Sequence, residues 1–204
     1  MNFFWNISYW VIKFIFNFFG NLEIKVDQKA KINSPVIIIA NHLSYLDGFL
    51  LGLVIKEVYP EITPIRFMVK KEFDFFPIGT ILKWYGAFFV DTKAPLKATR
   101  NALEIILKKE GSLGIFPEGR RSSGKLLPFK KGVEYLSQKS GALVLPIVIL
   151  GTYVPGSGFW SFWKKFFLFL TRKYKIKVFV GLPFKSNIEE NYKKFYESVG
   201  GEQD

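Results

Sequence analysis

Hydrophobic and polar positions along the chain follow two periods. Short apolar runs are typical of strands, and the continuous β-branched run VIIIA (36–40) indicates a strand buried on both faces. Longer segments repeat their apolar residues every three or four positions, which indicates helices. Strands are predicted at 22–26, 36–40, 67–69, 87–90, 113–116, 142–150 and 175–181, and helices at 2–19, 45–57, 75–85, 95–109, 130–139 and 188–198.

The alternation of these elements predicts the fold class. Strands separated by helices of about 10–15 residues form parallel pairs through helical crossovers, so we expect an α/β fold with a largely parallel central sheet flanked by helices. The chain has 204 residues with no linker and no internal repeat, which favours a single domain. We expect that domain to span 21–204, preceded by an anchoring helix at 1–20.

The N-terminal segment 2–19 is almost wholly apolar, and four of its polar residues fall on one narrow helical stripe: Asn2, Asn6, Lys13 and Asn17. A signal peptide needs a basic start and a small-residue cleavage site, and this segment has neither. A spanning helix needs about 20 predominantly apolar residues, and this segment is shorter and interrupted. We therefore predict a helix lying in the membrane interface, with burial on the protein's own core as the alternative.

A second aromatic cluster, FWSFWKKFFLFL, occupies 159–170 and is followed by Thr171, Arg172 and Lys173. Tryptophan prefers the headgroup region and cations pair with lipid phosphate, so the cluster suits an interfacial anchor. It equally suits a buried helix with a basic exposed edge, and both interpretations stay open.

Composition narrows the possible partners and chemistry. The net charge of +12 indicates a polyanionic partner: nucleic acid, an anionic membrane or a phosphorylated substrate. The aromatic residues lie in apolar clusters with Leu and Ile, which favours an anionic membrane surface over nucleic acid. The chain has no cysteine and one histidine, which excludes disulfides, thiol nucleophiles and multi-histidine metal sites. We expect no metal.

The only histidine lies just beyond the predicted strand 36–40, in the sequence Asn41-His42-Leu43-Ser44-Tyr45-Leu46-Asp47. Ligands bind at the carboxyl ends of strands in open α/β sheets. If a turn precedes the next helix, Asp47 can reach the imidazole and fix its tautomer, leaving the other nitrogen to take a proton. The spacing alone is a weak pattern and by itself favours a surface histidine beside a helix-capping aspartate.

A second polar motif, Phe116-Pro117-Glu118-Gly119-Arg120-Arg121-Ser122, also follows a predicted strand. It holds two of only five arginines in the chain, and a guanidinium grips phosphate in bidentate fashion. Gly119 permits close approach of a ligand to the backbone, and Glu118 can hold an arginine or a substrate hydroxyl. The alternative is a solvated loop with paired charges.

Together the two motifs resemble the 1-acylglycerol-3-phosphate (lysophosphatidic acid) acyltransferase family of the glycerolipid acyltransferase superfamily. Two further stretches, VKKEF (69–73) with GAFFVD (86–91) and VLPI (144–147), resemble its other blocks, and LPFKKG (127–132) continues the second motif. The resemblance runs from about residue 22 to residue 183. The chain departs from the family at the end of one block. The block that GAFFVD (86–91) resembles normally ends in Arg, and this chain has Thr92 followed by Lys93 there.

The resemblance implies an acyltransferase of phospholipid biosynthesis that makes phosphatidic acid, with 21–204 as the acyltransferase domain. His42 would deprotonate the hydroxyl of a lysophospholipid, and Asp47 would orient His42. The acyl donor would be acyl-CoA or acyl carrier protein, with no other cofactor. Direct transfer fits a chain without cysteine and without a G-x-S-x-G elbow. The residues expected to bind the acceptor are Lys70, Glu118, Gly119, Arg120 and Arg121. Arg120 is the first choice for its phosphate from the motif position, and Arg121 is the alternative.

Two alternatives remain at this stage. The same chemistry fits another acceptor, such as glycerol 3-phosphate, another lysophospholipid or a lyso-aminolipid. A non-catalytic basic membrane-binding protein also fits the charge and the aromatic residues. Whichever acceptor the enzyme uses, we expect a cell-membrane protein, monotopic or peripheral, on the cytoplasmic face.

Overall fold

The computed structural model describes residues 2–19, 21–27, 30–32, 35–153 and 175–203. Every predicted strand and helix is present, with ends shifted by at most three residues. The aromatic cluster at 159–170 and the cations after it lie outside the described residues. The helices are α1 (Asn2–Phe19), α2 (Asp47–Val58), α3 (Ile78–Trp84), α4 (Pro95–Leu107), α5 (Gly132–Ser140) and α6 (Ile188–Ser198). The strands are β1 (Asn21–Val26), β2 (Ile37–Ala40), β3 (Ile65–Lys70), β4 (Ala87–Val90), β5 (Ser112–Ile115), β6 (Lys125–Leu126), β7 (Val144–Leu150), β8 (Lys175–Val180) and β9 (Glu202–Gln203).

Seven strands form one sheet in the order β1-β8-β7-β2-β5-β3-β4. Every neighbouring pair is parallel except β7 and β8, so β1 and β8 run opposite to the other five strands. The predicted largely parallel sheet is confirmed. The short strands β6 and β9 pair separately. As a result β2, β3, β4, β5 and β7 all end at one edge of the sheet, where the polar motifs follow.

The sheet is covered by helices on both faces. In β2, Ile38 packs with α1 and α2, whereas Ile37 and Ile39 pack with α4, α5 and α6. All three side chains are fully buried. The β-branched run at 36–40 therefore serves two apolar cores at once, as its lack of alternation predicts.

Helix α1 is apolar on two sides. On the inner side, Tyr9 and Phe16 are buried against the core, and Glu57 of α2 accepts from the Tyr9 hydroxyl at 2.7 Å and pairs with Lys13 at 2.6 Å. At 100° per residue, an arc of about 100° on another side is apolar and exposed. Its members are Ile7, Trp10, Val11, Phe14 and Phe18. One side of the helix thus packs on the core, which was the alternative for this segment, and its exposed apolar arc is compatible with the predicted membrane interface.

Among the helices that the structure describes, none combines the length and the apolar character needed to cross a bilayer.

Candidate active site

Asn41 fixes the carboxyl end of β2 to two other elements. Its side-chain amide exchanges two hydrogen bonds with the backbone of Ile149 in β7, both 2.8 Å. Its backbone N–H donates to the Tyr192 hydroxyl at 2.7 Å, and that hydroxyl donates to the Ile147 carbonyl at 2.8 Å. Burial raises the pKa of Tyr192 well above its usual value, so the phenol keeps its proton as a donor. The strand end that carries the histidine is therefore rigid.

His42 and Asp47 form a hydrogen-bonded pair at this edge. The imidazole Nδ1 lies 2.9 Å from Asp47 Oδ2. The aspartate side chain is fully buried, whereas 21% of the histidine side chain is exposed. The imidazole also stacks on Phe116, with ring centroids 4.2 Å apart and planes 18° from parallel. Because Nδ1 is engaged by the carboxylate, Nε2 is the ring nitrogen left for a bound hydroxyl.

The Asp47 carboxylate is surrounded by hydrogen-bond donors. Oδ2 accepts from the backbone N–H groups of Leu43 and Ser44, both at 2.6 Å. Oδ1 accepts from the Thr152 hydroxyl at 2.8 Å and from the Ser44 hydroxyl at 3.2 Å. These donors offset the cost of burying a carboxylate. They also bend the chain before α2, so that this helix begins at Asp47, two residues later than the pattern predicts.

Glu118 supports the backbone of the histidine loop. One carboxylate oxygen accepts from the N–H of His42 at 2.7 Å, and the other accepts from the N–H of Leu127 at 3.0 Å. Burial raises the pKa of Glu118, and these two N–H bonds oppose that rise. Both oxygens contact backbone rather than an arginine. In turn the N–H of Ser122 donates to the His42 carbonyl at 2.7 Å, so the two motifs hold each other.

Arg121 is exposed and is held by Tyr45 beside the His42 loop. We call this exposed side of the site, formed by Tyr45 and Arg121, the mouth of the site. Its guanidinium carbon lies 3.8 Å from the centroid of the Tyr45 ring, and Nη2 donates to the Tyr45 hydroxyl at 3.0 Å. Tyr45 belongs to the same short loop as His42. Stacking and a hydrogen bond together orient the planar fork beside that loop. The neighbouring Arg120 is exposed.

Further cations lie at the same sheet edge. Gly119 has φ +69°, and a Cβ there would lie 2.6 Å from Nζ of Lys130, so this amine sits directly over the glycine backbone. Lys70 ends β3 and is exposed. Lys93 is also exposed, with its backbone N–H bonded to Asp91 at 2.8 Å. The edge is therefore suited to an anionic ligand.

The structure brings His42, Asp47 and Glu118 into one hydrogen-bonded group, with Arg121 anchored beside it. Lys70, Gly119 and Arg120 lie in the loops or strand end around that group. Within the described ranges, no cluster of three or more His, Asp or Glu side chains is suited to hold a metal ion.

Thr152 and Tyr192 are the site residues that the sequence analysis missed. Thr152 follows the carboxyl end of β7, a position where the strand-end rule gives a signal. Tyr192 lies on an amphipathic helix, where its aromatic ring looks like any other core residue, so no pattern distinguishes it.

The chain is similar in sequence to a family profile and to proteins from several organisms. The sequence profile of the family described as Acyltransferase matches residues 22–150. The chain is 31% identical to the human 1-acyl-sn-glycerol-3-phosphate acyltransferase beta over 164 residues, which cover 78% of this chain and 55% of the human protein. It is 30% identical to the 1-acyl-sn-glycerol-3-phosphate acyltransferase of Bacillus subtilis over 173 residues, covering 84% and 78% of the two chains.

A solved structure shares the fold. The crystal structure of the 1-acyl-sn-glycerophosphate (LPA) acyltransferase PlsC from Thermotoga maritima superposes with a TM-score of 0.63 at 25% sequence identity, covering 98% of this chain and 80% of that one. The chain spans about half the length of the human, yeast and coconut relatives that it matches, at 55%, 44% and 43%.

Proposed function

The chain belongs to the acyltransferase family that includes the 1-acyl-sn-glycerol-3-phosphate acyltransferases, and on that premise we propose that it acylates lysophosphatidic acid. A fatty acyl group passes from acyl-CoA or acyl carrier protein to the sn-2 hydroxyl, and the product is phosphatidic acid. The observation that carries the proposal is the His42–Asp47 pair, 2.9 Å apart, at the carboxyl end of a buried parallel strand. A binding protein has no need of that arrangement.

In the proposed reaction His42 acts as general base. Asp47 holds the proton on Nδ1 and stabilises the imidazolium that forms, so Nε2 accepts the proton of the acceptor hydroxyl. The hydroxyl oxygen attacks the thioester carbonyl carbon, a C–O bond forms and the C–S bond breaks. The departing thiolate takes the proton back from the imidazolium and leaves as a thiol. The histidine therefore ends the cycle as it began.

The acceptor's phosphate is proposed to bind Arg121, with help from Arg120, Lys70 and Lys93. The support for Arg121 is its anchored guanidinium beside the histidine loop. For the glycerol of the acceptor to approach the Gly119 backbone, the Lys130 amine that lies over it must move aside or bind the acceptor with it. Glu118 contributes by fixing the His42 backbone, and a direct contact with the acceptor would require one of its two N–H bonds to be shared.

Attachment to the membrane is proposed to occur through residues 1–20, with 21–204 as the acyltransferase domain. The exposed apolar arc of α1 is the supporting observation, because an interfacial helix buries such a face in one leaflet. The protein would then be monotopic or peripheral on the cytoplasmic face of the cell membrane, where the acyl donors are made available.

A different acceptor is the second candidate. One observation favours it. After GAFFVD (86–91) the family normally has Arg, and this chain has Thr92 followed by Lys93. A lysine offers a point charge where an arginine offers a fork, which changes how an anionic headgroup is recognised. Glycerol 3-phosphate, other lysophospholipids and lyso-aminolipids are the acceptors to compare.

The decisive experiment is a panel of these acceptors with both acyl donors, run on wild type and on His42→Ala. We expect lysophosphatidic acid to be preferred over monoacylglycerol, which lacks only the phosphate. His42→Ala should lose roughly 10²–10⁴-fold in rate, the usual worth of a general base. Circular dichroism and thermal unfolding show whether the variant is folded. Near-normal turnover by folded His42→Ala contradicts the mechanism, and equal use of both acceptors contradicts the phosphate site.

A further inference from the structure

Residues 75–84, with the sequence FFPIGTILKW, carry an unusual density of exposed apolar side chains. Phe76 is 86% exposed, and four others are between 41% and 52% exposed. We call this the α3 surface, and its members are Phe75, Phe76, Ile78, Ile81 and Trp84. Exposed single apolar residues are normal, but a group of this size in ten residues indicates an interaction site.

The helix presents these side chains outward on one side. At 100° per residue, Ile78, Ile81 and Trp84 fall within an arc of about 120°. Gly79 is buried on the other side, where a Cβ would lie 2.7 Å from the Asp74 carboxylate and 2.9 Å from its Cα. At Gly79 the backbone of α3 therefore packs closely on the turn that precedes the helix, and the apolar arc lies on the other side of the helix.

The α3 surface lies between α1 and the mouth of the site. Helix α1 packs against α3. On the other side, Phe73 precedes this segment, separated from it by Asp74, and meets the Tyr45 ring edge-on at 6.0 Å. Tyr45 in turn carries the guanidinium of Arg121. One strip thus runs from α1 through α3 to the anchored arginine.

Charge favours an anionic lipid leaflet as the occupant of this strip. The acidic residue of the strip, Asp74, is paired with Lys83 at 2.7 Å, and segment 75–84 itself contains no acidic residue. Residues 119–131 beside the site contain five cations and no acidic residue. Aromatic side chains next to cations suit the boundary between acyl chains and lipid phosphates. A soluble protein partner would not require the apolar strip to continue onto α1.

We propose that the α3 surface inserts into an anionic bilayer beside α1 and holds the mouth of the His42 site at the level of the headgroups. This inference rests on the proposed function, because it assigns a second membrane contact to the same enzyme. A lysolipid then reaches Arg121 with its phosphate while its acyl chain stays among the lipids.

Site-directed fluorescence tests the proposal, since the chain has no cysteine and a single cysteine can be labelled cleanly. Phe76→Cys carries an environment-sensitive dye, and Leu96→Cys is the matched control, because Leu96 is 87% exposed on α4, on the opposite face of the sheet. Phe14→Cys reports on α1. With vesicles of phosphatidylcholine and phosphatidylserine, we expect the dye at positions 76 and 14 to shift to the blue and to be quenched by lipid-borne quenchers. The dye at position 96 should not change.

The outcomes separate membrane anchoring by α1 from the proposed second contact by the α3 surface. A response at 14 without one at 76 overturns the α3 contact and leaves the proposed anchoring by α1 intact. No response at either position overturns both. A dye at 76 that is already blue before vesicles are added shows that the chain itself or a second copy covers the surface, which also overturns the proposal.

Kinetics provide an independent readout. Phe76→Ser should raise the KM for lysophosphatidic acid presented in vesicles several-fold, with little effect on a short-chain, water-soluble analogue. Leu96→Ser should change neither value. If Phe76→Ser lowers turnover of both acceptors equally, the residue supports the fold rather than the membrane contact, and the proposal fails.

Discussion

At the scale of single residues, the site depends on how one buried carboxylate is held. Asp47 accepts hydrogen bonds from two backbone N–H groups and two hydroxyls, and its fifth contact is His42. A carboxylate with so many donors cannot rotate without breaking several of them. The imidazole orientation is thereby fixed before any substrate binds, which is what general-base catalysis requires.

We expect Asp47→Asn to reduce kcat roughly 10²–10⁴-fold, because an amide does not stabilise the imidazolium. Thr152→Val removes one charge-assisted bond worth about 1.5–3 kcal/mol, part of which Ser44 replaces, so a drop in kcat of about tenfold is expected. The KM for the acceptor should stay unchanged in both. Thr99→Val is the control, since its hydroxyl bonds only within α4, to Pro95. A KM effect without a kcat effect would assign Thr152 to substrate binding.

Arg121→Lys should weaken the use of lysophosphatidic acid about ten- to a hundredfold, because a bidentate pair to phosphate is worth about 1.5–3 kcal/mol. Use of monoacylglycerol should change little. Arg120→Lys is the adjacent control and should have the smaller effect, because its guanidinium is not anchored on Tyr45. If the order of the two variants is reversed, Arg120 reads the phosphate.

The raised pKa of Glu118 gives a pH dependence. A carboxyl whose pKa is higher in the folded state favours folding at low pH, and that contribution is lost as pH rises through the raised value. The difference in unfolding free energy between wild type and Glu118→Gln should therefore fall as pH increases. Urea titrations at several pH values measure it. A difference that grows with pH means that the two backbone N–H bonds outweigh burial.

At the scale of elements, α1 serves both the core and an outer surface. Tyr9 and Phe16 belong to the core, so removing the whole helix would damage the fold together with any membrane contact. Substitutions confined to the exposed arc separate the two effects. The same logic applies to α3, whose buried Gly79 and exposed apolar arc lie on opposite sides.

The double variant Trp10→Ser, Phe14→Ser should lose most of its vesicle binding and keep its thermal stability, because both side chains are exposed, at 63% and 65%. Apolar burial contributes about 25 cal/mol per Å², so high salt alone should not release the wild-type protein from membranes. Leu107→Ser, on α4, is the control. Clean release of wild type by salt would show that charge, rather than this helix, holds the protein on the membrane.

At the scale of the whole molecule, the C-terminal helix completes the support of the site. Tyr192 of α6 is fully buried and reaches Asn41, 151 residues earlier in the chain. Its hydroxyl joins β2 and β7 by contacting Asn41 and the Ile147 carbonyl. The position of the His42 loop therefore depends on α6, the last helix along the described chain.

Tyr192→Phe should cost about 1–3 kcal/mol of unfolding free energy, because it leaves a buried N–H and a buried carbonyl without a partner. Urea unfolding measures the change, with an unaltered m value. Tyr135→Phe on α5 is the control, since Tyr135 is 46% exposed and should shift stability by no more than about 0.5 kcal/mol. Equal effects of the two variants would rule out a structural role for the Tyr192 hydroxyl.

The sequence by itself determined the elements, and the resemblance to the family indicated the His42–Asp47 pair. Strand and helix periods depend on neighbouring residues, so apolar spacing predicts them. His42 and Asp47 are five positions apart, a spacing that permits their contact but also fits an aspartate that only caps the next helix. The resemblance to the family assigned an expected role to the second motif, at 116–122. The predicted start of α2 was two residues too early because the Asp47 carboxylate bends the preceding loop, a detail that apolar spacing does not record.

Only the tertiary structure decided the order of the strands, the reversed direction of β1 and β8, and the residues that hold the pair. Thr152 reaches Asp47 across 105 residues, and Arg121 reaches Tyr45 across 76. The order of strands in a sheet follows from how whole elements pack, and many orders are compatible with one apolar pattern. The backbone N–H bonds that Glu118 accepts from His42 and Leu127 had no signal in the sequence, because the partners of a buried carboxylate are set by the chain folded around it.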